Sequence, residues 1–216
     1  MELPSAVCPC CWNKRLFAWL LANGNAEYEK LVSDRKRSLF SNLHGHVLEI
    51  GPGTGANFPY YPKEIRWIGI EPNPYMHPYL RTEAEKFGFS NADVRSISAE
   101  RLEAEDNSMD AVISTLVLCS VPDLTAALQE ILRVLKPGGR FLFIEHVAAP
   151  QGSLLRRVQR GVRPVWKFLA DGCNPDRETW IALKKAGFDS LNYEKFEPPI
   201  PIVTPHISGI GIKKGK

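Results

Sequence analysis

The chain has 216 residues, 44% of them hydrophobic and 24% charged, with 27 basic against 24 acidic residues and a formal net charge of +3. This composition excludes a disordered or fibrous chain, and the length allows one core but leaves little room for two full-sized domains. The small basic excess does not by itself indicate nucleic acid, and no apolar run approaches the roughly 18 residues that a spanning helix needs.

The chain starts with Cys8, Cys10 and Cys11 crowded around Pro9. They interrupt any signal-peptide pattern and lie too close together to staple distant elements. With His44 or His46 they could supply metal donors, but no second cysteine pair follows. The expectation is therefore no metal and five reduced thiols in a cytoplasmic protein, either free or peripheral to membranes. Residues 12–43 read as helical: Leu16, Trp19 and Leu20, then Tyr28, Leu31, Leu39 and Phe40, recur at helical spacing. Residues 1–45 are expected as a helical cap on a domain spanning 46–216.

From His46 the texture changes to short apolar runs alternating with amphipathic segments. Strands are predicted at 47–50, 67–70, 94–97, 111–113 and 141–144, and two more at 191–196 and 206–212. Helices are predicted at 75–87 and from about Asp123, where Leu124, Ala127, Leu128, Ile131 and Leu135 share a face. Pro137 is expected to stop the second helix, with Gly138-Gly139 turning the chain into the fifth strand. Such alternation predicts an α/β fold with a mostly parallel sheet covered on both faces.

Directly after the first strand stands Glu49-Ile50-Gly51-Pro52-Gly53-Thr54-Gly55. In a doubly wound sheet this turn lies at the C-terminal strand edge, where ligands bind, and glycine permits close backbone approach. The spacing is G-x-G-x-G, not the G-x-G-x-x-G of a dinucleotide site. Glu71 ends the second strand about 20 residues on, where a carboxylate can take both ribose hydroxyls of a nucleoside. Ser98-Ala99-Glu100 follows the third strand, where polar groups could meet an adenine edge. Together these features predict an adenosine-containing ligand.

Glu49-x-Gly51-x-Gly53-x-Gly55, Glu71, Ser108-Met109-Asp110 and Leu135-Lys136-Pro137-Gly138-Gly139 occur in an order that resembles the class I S-adenosylmethionine-dependent methyltransferases. Gly53 to Phe58, Pro72-Asn73-Pro74, Thr115 to Val121, Glu145-His146-Val147, Asp171-Gly172-Cys173, Arg177 to Trp180 and Pro205-His206-Ile207 are similar to the alkyl thiol methyltransferase family (methyltransferase-like protein 7). The likeness departs at the front, where mammalian members carry a hydrophobic anchor. It implies a Rossmann-like sheet of seven strands, the last antiparallel and beside the fifth. It also implies S-adenosylmethionine as cofactor, with S-adenosylhomocysteine as product, held by Glu49, Gly51, Pro52, Gly53, Gly55, Glu71, Pro72, Ser98, Ala99, Glu100, Thr115 and Leu116. The implied reaction is methyl transfer to a small molecule, an alkyl thiol or hydrogen sulfide. A quinone, sterol or phospholipid head group is the alternative acceptor, and a non-catalytic cofactor-binding protein the alternative class.

A thiol with a pKa near about 8.5 is only partly ionised at neutral pH, so a base would help. His146, Asp171 and His206 are the candidates, with Cys173 nearby. The ordinary alternatives are hydrogen-bonded structural histidines and a capping aspartate. Cys119 continues an apolar run and is expected in the core. In residues 154–169, Leu154, Leu155, Val158, Val162, Val165, Trp166 and Leu169 approximate one helical face, and Arg156, Arg157, Arg160, Arg163 and Lys167 another. Gly161 and Pro164 are expected to break or kink this helix. Such a segment either lies on an anionic membrane or packs as a lid over the acceptor pocket. Nothing supports a nucleic-acid partner, because the basic run lacks interleaved aromatic platforms. Oligomeric state leaves no mark in the sequence.

Overall fold

The computed structural model describes residues 11–215. In chain order the elements are α1 (Trp12–Gly24), α2 (Ala26–Phe40), β1 (His46–Ile50), β2 (Arg66–Ile70), α3 (His77–Lys86), β3 (Asp93–Arg95), β4 (Met109–Thr115), α4 (Leu124–Val134), β5 (Leu135–His146), α5 (Leu154–Leu169), α6 (Thr179–Lys185), β6 (Ser190–Phe196) and β7 (His206–Ile212). The strands form one sheet in the order β3-β2-β1-β4-β5-β7-β6. β1 to β5 run parallel, while β7 runs antiparallel between β5 and β6. This is the Rossmann-like class I arrangement that the motif order implied.

The central strands read as continuous apolar runs because both faces are covered. Phe141 and Phe143 join Leu48, Val112, Leu128 and Ile131 on the α4 side, while Leu142 joins Val47, Ile113, Trp67, Leu80 and Phe40 on the other. That split is the period-2 alternation of a strand. α4 forms where its apolar residues recur at helical spacing: Ala127, Leu128, Ile131 and Val134 are buried, and the Asp123 carboxylate accepts from the Ala126 N–H at 3.0 Å as an N-cap.

Several local expectations are corrected. The helical stretch 12–43 is two helices divided at Asn25. The third strand is shorter than 94–97 and shifted toward its start. Helix α4 ends at Val134, before Pro137, because Leu135 already pairs with Met109; the register then jumps to Ala111 against Arg140, so residues 136–139 bulge out. Gly161 and Pro164 do not break α5, which runs unbroken to Leu169. Proline there frees the carbonyl of exposed Arg160, where solvent can satisfy it. Cys8 and Cys10 lie outside the described residues, and Cys11 is partly exposed.

α5 also faces differently from the sequence pattern. Leu154 (75% exposed), Val158, Val165 (63%), Phe168 and Leu169 point outward, while Arg156 and Gln159 are buried. The inward polar groups serve neighbouring backbone: the Gln159 amide accepts from the Ala149 N–H and donates to the Ile202 carbonyl, both at 2.8 Å. Arg156 reaches the Ala149 carbonyl at 3.3 Å and Glu178 at 3.3 Å.

Candidate active site

The C-terminal ends of β1, β2, β4 and β5 meet on one edge of the sheet, around a cavity of about 300 Å³. Its floor comes from the loop after β1, Glu71 and Pro72 after β2, Thr115 at the end of β4 with Leu116 and Val117 after it, and His146 at the end of β5. Phe17 and Leu21 of α1, Tyr28 and Lys36 of α2, and Trp166, Ala170 and Asp171 at the end of α5 close over it.

The glycine loop has the geometry that its composition suggests. Gly51 and Gly53 adopt φ of +59° and +57°, where only glycine sits without strain. A Cβ on Gly51 would lie 2.5 Å from Val117, so this residue lets the loops after β1 and β4 touch. A Cβ on Gly53 would meet nothing within 4 Å, leaving a bare stretch of backbone on the cavity wall. Pro52 also lines the wall, whereas Gly55 packs instead: its Cβ would lie 3.0 Å from Glu83 and Phe58.

Two buried carboxylates face this loop. Glu71 Oε2 accepts from the Gly53 N–H at 3.0 Å and Oε1 from the Asn73 N–H at 2.8 Å. Burial pushes its pKa up to about 7, although both backbone donors pull the other way. Glu49 accepts from Asn57 Nδ2 at 2.6 Å and Trp67 Nε1 at 2.8 Å, and burial raises its pKa too. Asn57 Nδ2 also reaches Thr115 Oγ1 at 3.1 Å, while Asn57 Oδ1 is buried without a partner among the described residues. These features fit an adenosyl cofactor: a cradle without side chains, two carboxylates for hydroxyls or a cationic amine, and an orphaned amide oxygen.

Sequence reasoning missed the supports. Lys36 is fully buried on the wall, with Nζ at 2.6 and 2.9 Å from the two Glu29 oxygens. Glu145, buried behind the wall, accepts from Ser114 Oγ at 2.6 Å, Val117 N–H at 3.2 Å and Leu118 N–H at 3.1 Å. It thereby pins the turn in which Leu116 takes a φ of +58°. Glu145 was hinted at by a carboxylate inside an apolar run, whereas Lys36 was hidden in the charged stretch 33–38.

The far wall is sulfur and imidazole. His146 Nε2 lies 3.0 Å from Cys173 Sγ, Trp166 Nε1 donates to the same sulfur at 3.3 Å, and Cys119 completes the group. Hydrogen bonding from Cys119 lowers the Cys173 pKa, and the same bond, then burial, raises that of Cys119. Burial is the largest influence on His146 and opposes its charge, but Cys119 and Glu145 together carry the pKa upward. Cys119 is buried as expected, yet it faces the cavity.

The other predicted residues fall elsewhere. Asp171 lines the cavity at the Glu71 end, with its carboxylate on Asn73 Nδ2 at 2.8 Å and Lys14 Nζ at 3.6 Å. His206 is not on the wall. It is buried between Tyr28, Phe196 and His146, holds the Thr204 carbonyl at 3.0 Å, and has a pKa lowered by burial to about 4. The wall does not reach Ser98, Ala99 or Glu100: Ala99 packs in the core and Glu100 accepts from the Asp123 N–H at 3.0 Å. Core packing has taken Ala99 and the start of α4 has taken Glu100, while Ser98 stays exposed and its carbonyl accepts from the Arg101 N–H at 3.2 Å.

Residues 48–143 match the methyltransferase domain family. The chain is 39% identical to thiol S-methyltransferase TMT1B of Rattus norvegicus over 94% of its own length and 89% of that protein. It is 37% identical to thiol S-methyltransferase TMT1A of Homo sapiens over 93% and 87%. Among solved structures it resembles a SAM-dependent methyltransferase of Thermotoga maritima, with a TM-score of 0.62 and 23% identity over 92% of this chain and 100% of that one.

Proposed function

The chain belongs to the thiol S-methyltransferase family, and on that premise we propose that its cavity binds S-adenosylmethionine and passes the methyl group to an alkyl thiol or hydrogen sulfide. The observation that carries this reading is one cavity holding both a carboxylate-flanked bare glycine backbone and a cysteine–histidine wall. Glu71 would hold the ribose hydroxyls, Glu49 would favour the amino group, and Gly53 would admit the methionine part against the main chain. When bound, the cofactor supplies a methyl group already activated by its sulfonium. The remaining task is alignment of a thiolate behind that carbon, and orientation supplies much of the acceleration. His146 is the candidate base on the acceptor wall. Asp171 instead ties α5 to Asn73, and His206 backs His146, so both are positioning residues.

Calorimetric titration with S-adenosylmethionine, followed by a thiol panel assayed for thioether, tests the reading. Binding with thioether formation is expected. Binding without transfer to any thiol would redirect the acceptor to quinones or lipids, and no binding to folded protein would overturn the cofactor.

The outward stripe of α5 supports a peripheral membrane contact. Trp12, Leu16, Trp19 and Leu20 of α1 are exposed as well, and the Trp12 and Phe168 rings meet at 5.6 Å, so the two helices make one apolar face. Arg15, Arg157, Arg160, Arg163 and Lys167 are exposed on the same two helices, as an anionic surface requires. No helix among the described residues is long and apolar enough to cross a membrane. The protein is expected to sediment with anionic vesicles at low salt, and Trp19→Ser with Val165→Ser to reduce binding by about tenfold. Failure of the unaltered protein to bind removes this contact.

A further inference from the structure

We propose that Cys119, His146 and Cys173 form a three-ligand site for a thiophilic cation, zinc above all, in the acceptor wall of the cavity, with the fourth position open to the acceptor. The donor atoms of the three residues all lie within 4.8 Å of one another, and all three side chains are buried. Tetrahedral zinc, with bonds of about 2.0–2.3 Å, places its donors roughly 3.5–3.8 Å apart. The arrangement therefore needs only small side-chain movements to close on a cation.

The donors come from three separate parts of the fold, and backbone bonds hold those parts together. Cys119 follows β4, His146 ends β5, and Cys173 follows α5. Asn174 clamps two of them, its N–H and Nδ2 both donating to the Cys119 carbonyl at 3.0 Å. The Cys173 N–H is held by the Ala170 carbonyl at 3.0 Å, and the Val147 N–H by the Pro205 carbonyl at 2.7 Å. A site fixed by its surroundings, not by the ion, keeps its geometry when a ligand exchanges.

Two further observations favour a cation. Trp166 Nε1 donates to Cys173 Sγ at 3.3 Å, the outer-shell bond that steadies a ligating thiolate. His146 Nε2 already stands 3.0 Å from Cys173 Sγ, so an imidazole nitrogen and a thiol that would share the cation face each other. Two thiolates also neutralise a divalent cation, so occupancy leaves no net charge in this buried wall. Two cysteines and one histidine with an open position is the donor set of catalytic, not structural, zinc.

The consequence for the reaction rests on the thiol reading above, with His146 then a ligand of the cation in place of the base. An acceptor thiol entering the fourth position loses its S–H bond as a zinc–sulfur bond forms, and the displaced water carries the proton away. The coordinated sulfur then attacks the methyl carbon. A carbon–sulfur bond forms as the sulfonium bond breaks, and that electron pair stays on the departing thioether.

The test uses the full chain with Cys8, Cys10 and Cys11 changed to serine, which silences the N-terminal thiols. The protein is reduced with a phosphine, stripped with a chelator and titrated with Co²⁺, then with Zn²⁺ in competition. One equivalent of cobalt is expected, with near-ultraviolet thiolate charge transfer and the strong visible bands of a tetrahedral site, displaced by zinc. C119S, C173S and H146A, checked for folding by circular dichroism, are each expected to weaken binding by about 100-fold or more, since loss of outer-shell partners alone costs 10–100-fold. Folded protein that takes up no stoichiometric cobalt, or binding retained in all three variants, overturns the site. A cobalt spectrum that ignores added alkyl thiol overturns its role in activating the acceptor, whatever the cofactor titration shows.

Discussion

Glu71→Gln is expected to weaken S-adenosylmethionine binding by about 100-fold and to abolish its dependence on pH. Two charge-assisted hydrogen bonds to ribose hydroxyls, each contributing about 1.5–3 kcal/mol, account for that factor. The substitution also disturbs the cradle. Both groups facing Glu71 in the protein are donors, the N–H groups of Gly53 and Asn73, and a glutamine amide can satisfy only one of them.

The pH dependence follows from the raised pKa. Burial lifts Glu71 from the ordinary value of 4.5 to about 7, so near neutrality it is part carboxyl and part carboxylate. The carboxylate is the better acceptor for hydroxyls, so affinity rises with pH through about 7 and then levels off. Stability of the unliganded protein runs the other way. The folded state holds this proton more tightly than the unfolded chain, so the contribution is fully present below 4.5 and is lost as pH rises through about 7. Calorimetry at about pH 6 and pH 8, with thermal unfolding over the same window, measures both effects against the glutamine variant. Equal affinity at the two pH values would remove Glu71 from the ribose role.

Lys36→Met is expected to destabilise the fold by about 3 kcal/mol, the lower end of the range for breaking a buried ion pair. The lower end applies because Lys36 is wholly buried while the Glu29 side chain keeps 21% of its exposure. Burial lowers the Lys36 pKa and Glu29 opposes the shift, so the ammonium depends on its partner. Its removal leaves the Glu29 carboxylate unpaired over the cavity. Thermal unfolding is expected to fall by roughly 6–12 °C for a chain of this size. Adding Glu29→Gln is expected to recover part of the loss, because no lone carboxylate then remains, and the double-mutant cycle gives the coupling. A methionine variant as stable as the parent would mean that desolvation cancels the attraction of this pair.

Where the sequence was readable, the reason lies in local physics. The runs at 47–50 and 141–144 are buried on both faces and could be nothing but central strands. Gly51 and Gly53 stand where the chain must turn with positive φ, and Glu71 lies at the end of β2, one strand over. α5 was left between two readings because two apolar stripes share it and hydrophobicity alone does not say which faces inward. Arg156 and Gln159 decide that, through carbonyls and amides of loops far along the chain. Glu100 was placed by position, but the start of α4 claimed it.

The sequence by itself determined the class of the protein. Strand and helix periods, the glycine spacing and Glu71 are encoded within about 25 consecutive residues at a time, and backbone geometry reads them directly. The tertiary structure alone added Cys119 to His146 and Cys173 on the cavity wall. Cys119, His146 and Cys173 meet only because β4 and β5 lie side by side and α5 folds back over their ends. No local pattern specifies a contact between residues 27 and 54 positions apart; closure of the sheet and its covering helices creates it.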